Sequence, residues 1–176
     1  QTGFLAGDVA GITLSATRVA GENVNSYVMT AAATGGNVGN YDITYTPGTF
    51  TISQKTATVV ADANGKIYGA DEPTLAASQT GFLAGDVAGI TLSATRAAGE
   101  DVGPYAMTPA ATGGNVGNYD ITHTPGSFTI SKKTATVTAT DNGKIYGAAE
   151  PALAASQVGF LAGDVAGITL SATRAA

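Results

Sequence analysis

The chain has 176 residues, 44% of them hydrophobic, and carries 13 acidic against eight basic side chains, a net charge of −5. Without a basic excess it lacks the electrostatic footprint of a nucleic-acid binder, and without cysteine it can build neither a disulfide nor a thiolate metal site. No run approaches the ~18 apolar residues of a membrane-spanning helix, so no membrane insertion is expected, and any targeting signal is expected to lie outside this sequence.

A block of eighteen residues, QTGFLAGDVAGITLSATR, opens at Gln1, recurs unchanged at Gln79, and returns at Gln157 with Val158 in place of threonine. The period is 78 residues, and the first two copies agree at 64 of 78 positions. Solenoid repeats of about 20 to 45 residues lean on their neighbours, whereas a unit of this size can close a small core of its own. The 24 glycines, the many Thr and Val, and the absence of any long stretch with apolar residues three and four apart predict strands and turns. The fold class is therefore mostly β: tandem small antiparallel β domains arranged as beads on a stiff string. Seven Tyr, five Phe and no Trp leave little to fill each interior, so the cores are expected to be thin.

From Lys55 the stretch KTATVVADAN alternates, placing Ala57, Val59 and Ala61 on one face of a strand and Thr56, Thr58 and Val60 on the other. Asn64-Gly65 is the dipeptide of a tight turn, which would return Lys66-Ile67-Tyr68 antiparallel, and Glu72-Pro73 then breaks regular structure. Ser78 to Asp86 reads as loop. The Gly85 to Gly89 segment is either one helical turn capped by Asp86 or a simple turn. Ile90 to Arg96 alternates again, Tyr105 to Thr108 is a shorter strand, and Thr112 to Asn118 is too rich in Gly and Asn to be other than loop. Tyr119 to Thr124 and Ser127 to Ser131 flank Pro125-Gly126 and predict a hairpin. Tyr119, Ile121, Phe128 and Ile130 would point inward, as would their counterparts Tyr41, Ile43, Phe50 and Ile52. Phe128 to Ser131 then runs into Lys132 to Val137 with no Gly/Ser or Pro linker, which predicts a stiff joint between repeats.

Catalytic chemistry finds no support. His123 is the single histidine, and Tyr45 replaces it in the first copy, so no histidine-based triad belongs to the repeat; an exposed strand residue is expected. Asp8, Asp86 and Asp164 sit in G-D-V-A-G, where a side-chain oxygen would cap a turn. Calcium is the sharper alternative, but no D-x-D-x-D-G loop supplies the ligands. Arg96 with Glu100, and Arg18 with Glu22, predict surface ion pairs worth about 0–1 kcal/mol. Lys55 and Lys133 open strands while Asn40 and Asn118 lie near the late strands, but a Lys–Asn crosslink would need a buried carboxylate. Tyr45 would be exposed, as a sugar-stacking residue must be, whereas Tyr68 and Tyr146 are expected to be partly buried with the hydroxyl at the rim. The sequence thus assigns no catalytic, cofactor or metal site.

Four motifs carry a family resemblance: K-I-Y-G (Lys66 to Gly69, Lys144 to Gly147), G-E-D-V-G-x-Y (Gly99 to Tyr105), N-Y-D-I-T (Asn118 to Thr122) and a closing F-T-I-S. Together they resemble the MBG repeat of the YGX type, found in long bacterial surface adhesins including haemagglutinin-like proteins. The first copy departs in the middle motif, reading Gly21-Glu22-Asn23-Val24-Asn25-Ser26-Tyr27. The resemblance implies a β-grasp-like domain or, alternatively, an Ig-like sandwich, with no catalytic residue and no cofactor. It also sets the phase: residues 55–132 form a complete repeat, 1–54 lack the opening strands, and 133–176 lack the closing ones, as in a window cut from a longer polymer. The implied function is an extracellular stalk, on the bacterial cell surface, that projects a distal binding domain in adhesion or biofilm formation. Its partners would be the neighbouring repeats of the same chain. The alternatives are weak multivalent binding of matrix polysaccharide and homotypic assembly of identical chains into filaments.

Overall fold

A computed structural model describes residues 2–175, and among them the secondary structure is almost entirely β. The first copy contributes a four-residue helical turn, α1 (Ala6–Val9), and an antiparallel sheet in the order β1 (Thr13–Arg18), β2 (Asn25–Thr34), β3 (Gly48–Ile52). The second copy supplies β4 (Lys55–Ala61), β5 (Asn64–Ile67), β6 (Ala77–Thr80), α2 (Ala84–Val87), β7 (Thr91–Arg96), β8 (Gly103–Thr112), β9 (Tyr119–Thr124) and β10 (Gly126–Ser131). These make one sheet ordered β5-β10-β8-β7 and a second ordered β6-β4-β9. The third copy pairs β11 (Thr136–Ala139) antiparallel with β12 (Ala155–Val158) and ends in α3 (Ala162–Val165). The helices are single turns, too short to be grasped by a sheet, so the sandwich of small sheets is the architecture.

Two compact units divide the chain: Gln1–Thr58, Gln79–Thr91 and Ala111–Thr122 form one, and Val59–Ser78, Leu92–Ala110 and His123–Ala176 the other. Each draws on successive copies of the repeat. Within the second unit Ala61 of β4 packs on Met107 of β8 and on Phe128 and Ile130 of β10, with Tyr68, Leu75, Ala94 and Tyr105 around them. The alternation of β4 does what its sequence promises, burying Ala57, Val59 and Ala61. In β10 the pleat buries Phe128 and Ile130 and leaves Ser127, Thr129 and Ser131 exposed. The buried apolar side chains among the described residues all lie between Ala57 and Ile130.

Three expected elements differ. Pro125-Gly126 is not a hairpin turn: β9 lies beside β4 in one sheet, and β10 between β5 and β8 in the other. Gly126 has no positive φ, and a Cβ there would sit 2.3 Å from the Ala61 carbonyl oxygen, so the glycine serves a close approach of strands rather than a turn. Asn64-Gly65 does not reverse the chain either. The pair lies in β5, which runs parallel to β10 in the register Phe128↔Asn64, while the Asn64 carboxamide accepts from the Gly65 N–H and donates to the Thr74 carbonyl. Part of the Ser78–Asp86 loop, finally, is the strand β6.

The expected inward set also splits. Tyr119, Phe128 and Ile130 are buried and Ile121 half-buried, but Tyr41, Ile43 and Ile52 are only half-buried and Phe50 is 41% exposed. No counterpart of β4 packs over the first copy among the described residues, so the same side chains find no facing sheet.

Candidate functional site

Polar side chains that recur from copy to copy tie segments of the fold together. In the second unit Lys66 Nζ lies 3.0 Å from Glu72 Oε2 and 2.5 Å from Glu100 Oε2, while Arg96 lies 2.5 Å from Glu72 Oε1 through Nε and 2.5 Å from Glu100 Oε1 through Nη2. The four residues close a ring of alternating charge. Arg96 Nη1 also donates to the carbonyls of Ala97 and Gly99, and its guanidinium lies 5.3 Å from the Tyr105 ring centroid and 4.8 Å from that of Phe128. A planar cation can stack on rings and fork to a carboxylate at once, which lysine cannot do. Hydrogen bonding from Arg96, then Lys66, holds the Glu72 carboxyl down at about 2; Lys66 and then Arg96 lower that of Glu100.

Sequence reasoning found only the Arg96–Glu100 edge of this ring and placed it at the surface. The Arg96 side chain is in fact 10% exposed and that of Lys66 7%. The missed partners carried a signal, since Lys66 and Glu72 recur 78 residues on as Lys144 and Glu150. That pair is 2.8 Å apart, and Arg174 again reaches Glu150 at 2.6 Å. In the first copy Arg18 lies 2.5 Å from Glu22 and stacks over Tyr27 and Phe50 with the same spacings.

A second clasp is built on the helical turn. Of the two alternatives, a helical turn or a simple turn, the structure has the helical one in α1, α2 and α3, but the aspartate does not cap it: the N-cap of α2 is Leu83, which makes no side-chain cap, and Asp86 lies inside the turn. Asp86 instead accepts from Asn115 Nδ2 at 2.7 Å and from the Tyr119 hydroxyl, and that hydroxyl oxygen accepts the Leu83 N–H at 3.0 Å. Phe82 packs edge-on against Tyr119 with centroids 4.8 Å apart. The first copy repeats the arrangement with Asp8, Asn37 (2.7 Å), Tyr41 (2.5 Å), Leu5 (3.0 Å) and Phe4. The tyrosine bond comes first among the causes that lower the carboxyl of each aspartate.

Contacts between successive copies sit inside each unit. In the first, the Val24 N–H donates to Asn118 Oδ1 at 2.9 Å, Asn118 Nδ2 reaches Asn23 at 3.0 Å, and Gln54 Nε2 donates to the carbonyls of Gly117 and Tyr119. In the second, the Tyr68 hydroxyl donates to Asp164 Oδ1 at 3.2 Å.

Of the other candidates, His123 and Tyr45 are exposed on their segments. Asn118 has its carboxamide engaged by the first copy rather than facing a lysine. Tyr68 is half-buried as expected, whereas Tyr146 is fully exposed, which corrects the reading that treated the two alike. Among the described residues no three of His, Cys, Asp and Glu converge as metal ligands.

A family model described as MBG domain (YGX type) matches residues 1–51, 57–129 and 135–176, nearly the whole chain. No curated protein and no solved structure matches it.

Proposed function

The chain belongs to the MBG domain family of the YGX type, and from that premise we propose that it is a spacer in a secreted bacterial surface adhesin, holding a distal binding domain away from the cell in adhesion or biofilm formation. The observation that supports this reading is the recurrence, at 78-residue intervals, of clasps that join one segment of the fold to another. Asp8 and Asp86 are held by the same two neighbours, an asparagine and a tyrosine, and Arg18 and Arg96 lie over the same two rings. An enzyme needs one site with perturbed groups facing a substrate, whereas here the shifted carboxyls face their own scaffold. The partners are the neighbouring repeats, and the array works by length and by resistance to load.

Single-molecule stretching of a polymer of the repeat tests this. Unfolding events spaced by one unit, on the order of 250 Å of released chain, are expected; a smooth extension without force peaks would refute the load-bearing role.

A further inference from the structure

Lys66 and Ile67 of the K-I-Y-G motif belong to β5, and Lys66 to the charged ring, which leaves the Tyr68-Gly69 turn as the part that neither accounts for. Tyr68 and Gly69 follow β5, with Tyr68 still packed against the core and Gly69 at φ +78°. In the second unit this turn lies against α3 of the third copy: the Tyr68 hydroxyl reaches Asp164 Oδ1 at 3.2 Å, and a Cβ on Gly69 would fall 2.5 Å from Leu161 Cδ1 and 2.8 Å from Cδ2. Glycine is needed here for its dihedral, and a side chain added to it would have to displace the Leu161 δ-methyls.

The chain carries its own controls. Leu161 has two counterparts in identical sequence, and they are 69% (Leu5) and 56% (Leu83) exposed, while Leu161 under the turn is half-buried. Tyr146 and Gly147 repeat the turn with the same φ, +81° at the glycine, yet nothing lies within 4 Å of a Cβ at Gly147 and Tyr146 is fully exposed. The receptor leucine is thus less exposed where the turn lies over it, and a Cβ on the turn glycine meets a neighbour only there.

We propose that the Tyr-Gly turn of each repeat is a plug for the Leu-Ala-Gly-Asp-Val turn of the next, and that this contact fixes the joint between successive repeats. The aspartate is the shared point. Its carboxylate is held within its own repeat by asparagine and tyrosine, as Asp86 is by Asn115 and Tyr119, and takes the incoming phenol as a further donor, as Asp164 does from Tyr68. The contact of Asn118 with Asn23 and Val24 belongs to the same face, since Asn118 precedes the tyrosine that clasps Asp86. Shifted by one period, Val24 becomes Val102, which lines one recess with Tyr68, Leu161 and Asp164. The plug therefore joins repeats of one chain whatever the array carries at its tip.

Hydrogen exchange on the full chain tests this with matched variants. Gly69→Ala and Gly147→Ala impose the same dihedral strain, but only the first drives a methyl into Leu161. Gly69→Ala is expected to speed exchange of the Asp164 and Val165 amides by about tenfold, with Gly147→Ala leaving them unchanged. Leu161→Ala compared with Leu83→Ala gives a second reading: the former should raise exchange around Tyr68 and Gly69, the latter should not. Equal effects within both pairs, or none, would overturn the proposal. Force peaks in the stretching experiment would be retained even then, so the joint and the spacer role fail separately.

Discussion

Phe128 and Phe50 are the same residue at the same position of two copies, and their environments differ. Phe128 has no exposed surface and is enclosed by Ala61, Met107 and Ile130, whereas Phe50 is 41% exposed. Phe128→Ala removes the transfer free energy of a whole ring and leaves a cavity between sheets that cannot close without breaking ladder hydrogen bonds, at a cost of about 3–5 kcal/mol. It also removes one of the two rings beneath Arg96. Phe50→Ala forfeits only the covered part of the ring, and solvent can enter the space, so about 1–2 kcal/mol is expected. Against a total stability of about 5–15 kcal/mol, the first loss is a large share and the second a small one. Native-state hydrogen exchange in low urea reads the copies separately: amides of β8 and β10 should lose protection in Phe128→Ala, and those of β2 and β3 less so in Phe50→Ala. Comparable losses in the two variants would show that burial does not set the cost, and the account of the core would be wrong.

Acid should act through the charged ring. The Glu72 carboxyl is held at about 2 against an ordinary 4.5, so its contribution to stability is complete above pH 4.5 and disappears as pH falls toward 2. Urea midpoints followed across that window should fall more steeply for the native chain than for Glu72→Gln, and parallel curves would remove the ring from the explanation. Arg96→Lys keeps the charge but loses the fork to Glu72 and the bonds to Ala97 and Gly99, so it should destabilise, and a double-mutant cycle with Glu72→Gln should show non-zero coupling. Gly126→Ala forces a methyl onto the Ala61 carbonyl and should cost about 1–3 kcal/mol. Gly117→Ala meets nothing within 4 Å at an ordinary φ and should be neutral or stabilise by up to about 1 kcal/mol, as thermal melts of the two variants can check.

Alternation carried the strands. β4, β7, β9 and β10 fall where period-two patterns place them, because a half-buried strand must send every second side chain to the core. The connections were less legible. Pro125-Gly126 and Asn64-Gly65 have the composition of tight turns, but composition states what backbone a dipeptide tolerates, and the partner strand chooses among the options. Gly126 was selected by the approach of Ala61, and Asn64 by the Thr74 carbonyl ten residues away. The ring of Lys66, Glu72, Arg96 and Glu100 escaped for a related reason: three of its four edges join residues 6 to 34 positions apart, beyond the local spacings in which ion pairs are read.

The sequence by itself determined the period, the mostly-β character and the face each strand offers. It did not determine whether a given segment becomes a strand. TLSATR is a strand at 13–18 and 91–96 but not at 169–174, NGKI is one at 64–67 but not at 142–145, and YDIT is one at 119–122 but not at 41–44. In each pair the residues are identical and the difference is the neighbour: β7 has β8, β5 has β10, and β9 has β4 to complete its ladder. A strand satisfies its backbone only through another chain segment, so local sequence supplies the propensity and tertiary pairing supplies the hydrogen bonds that realise it.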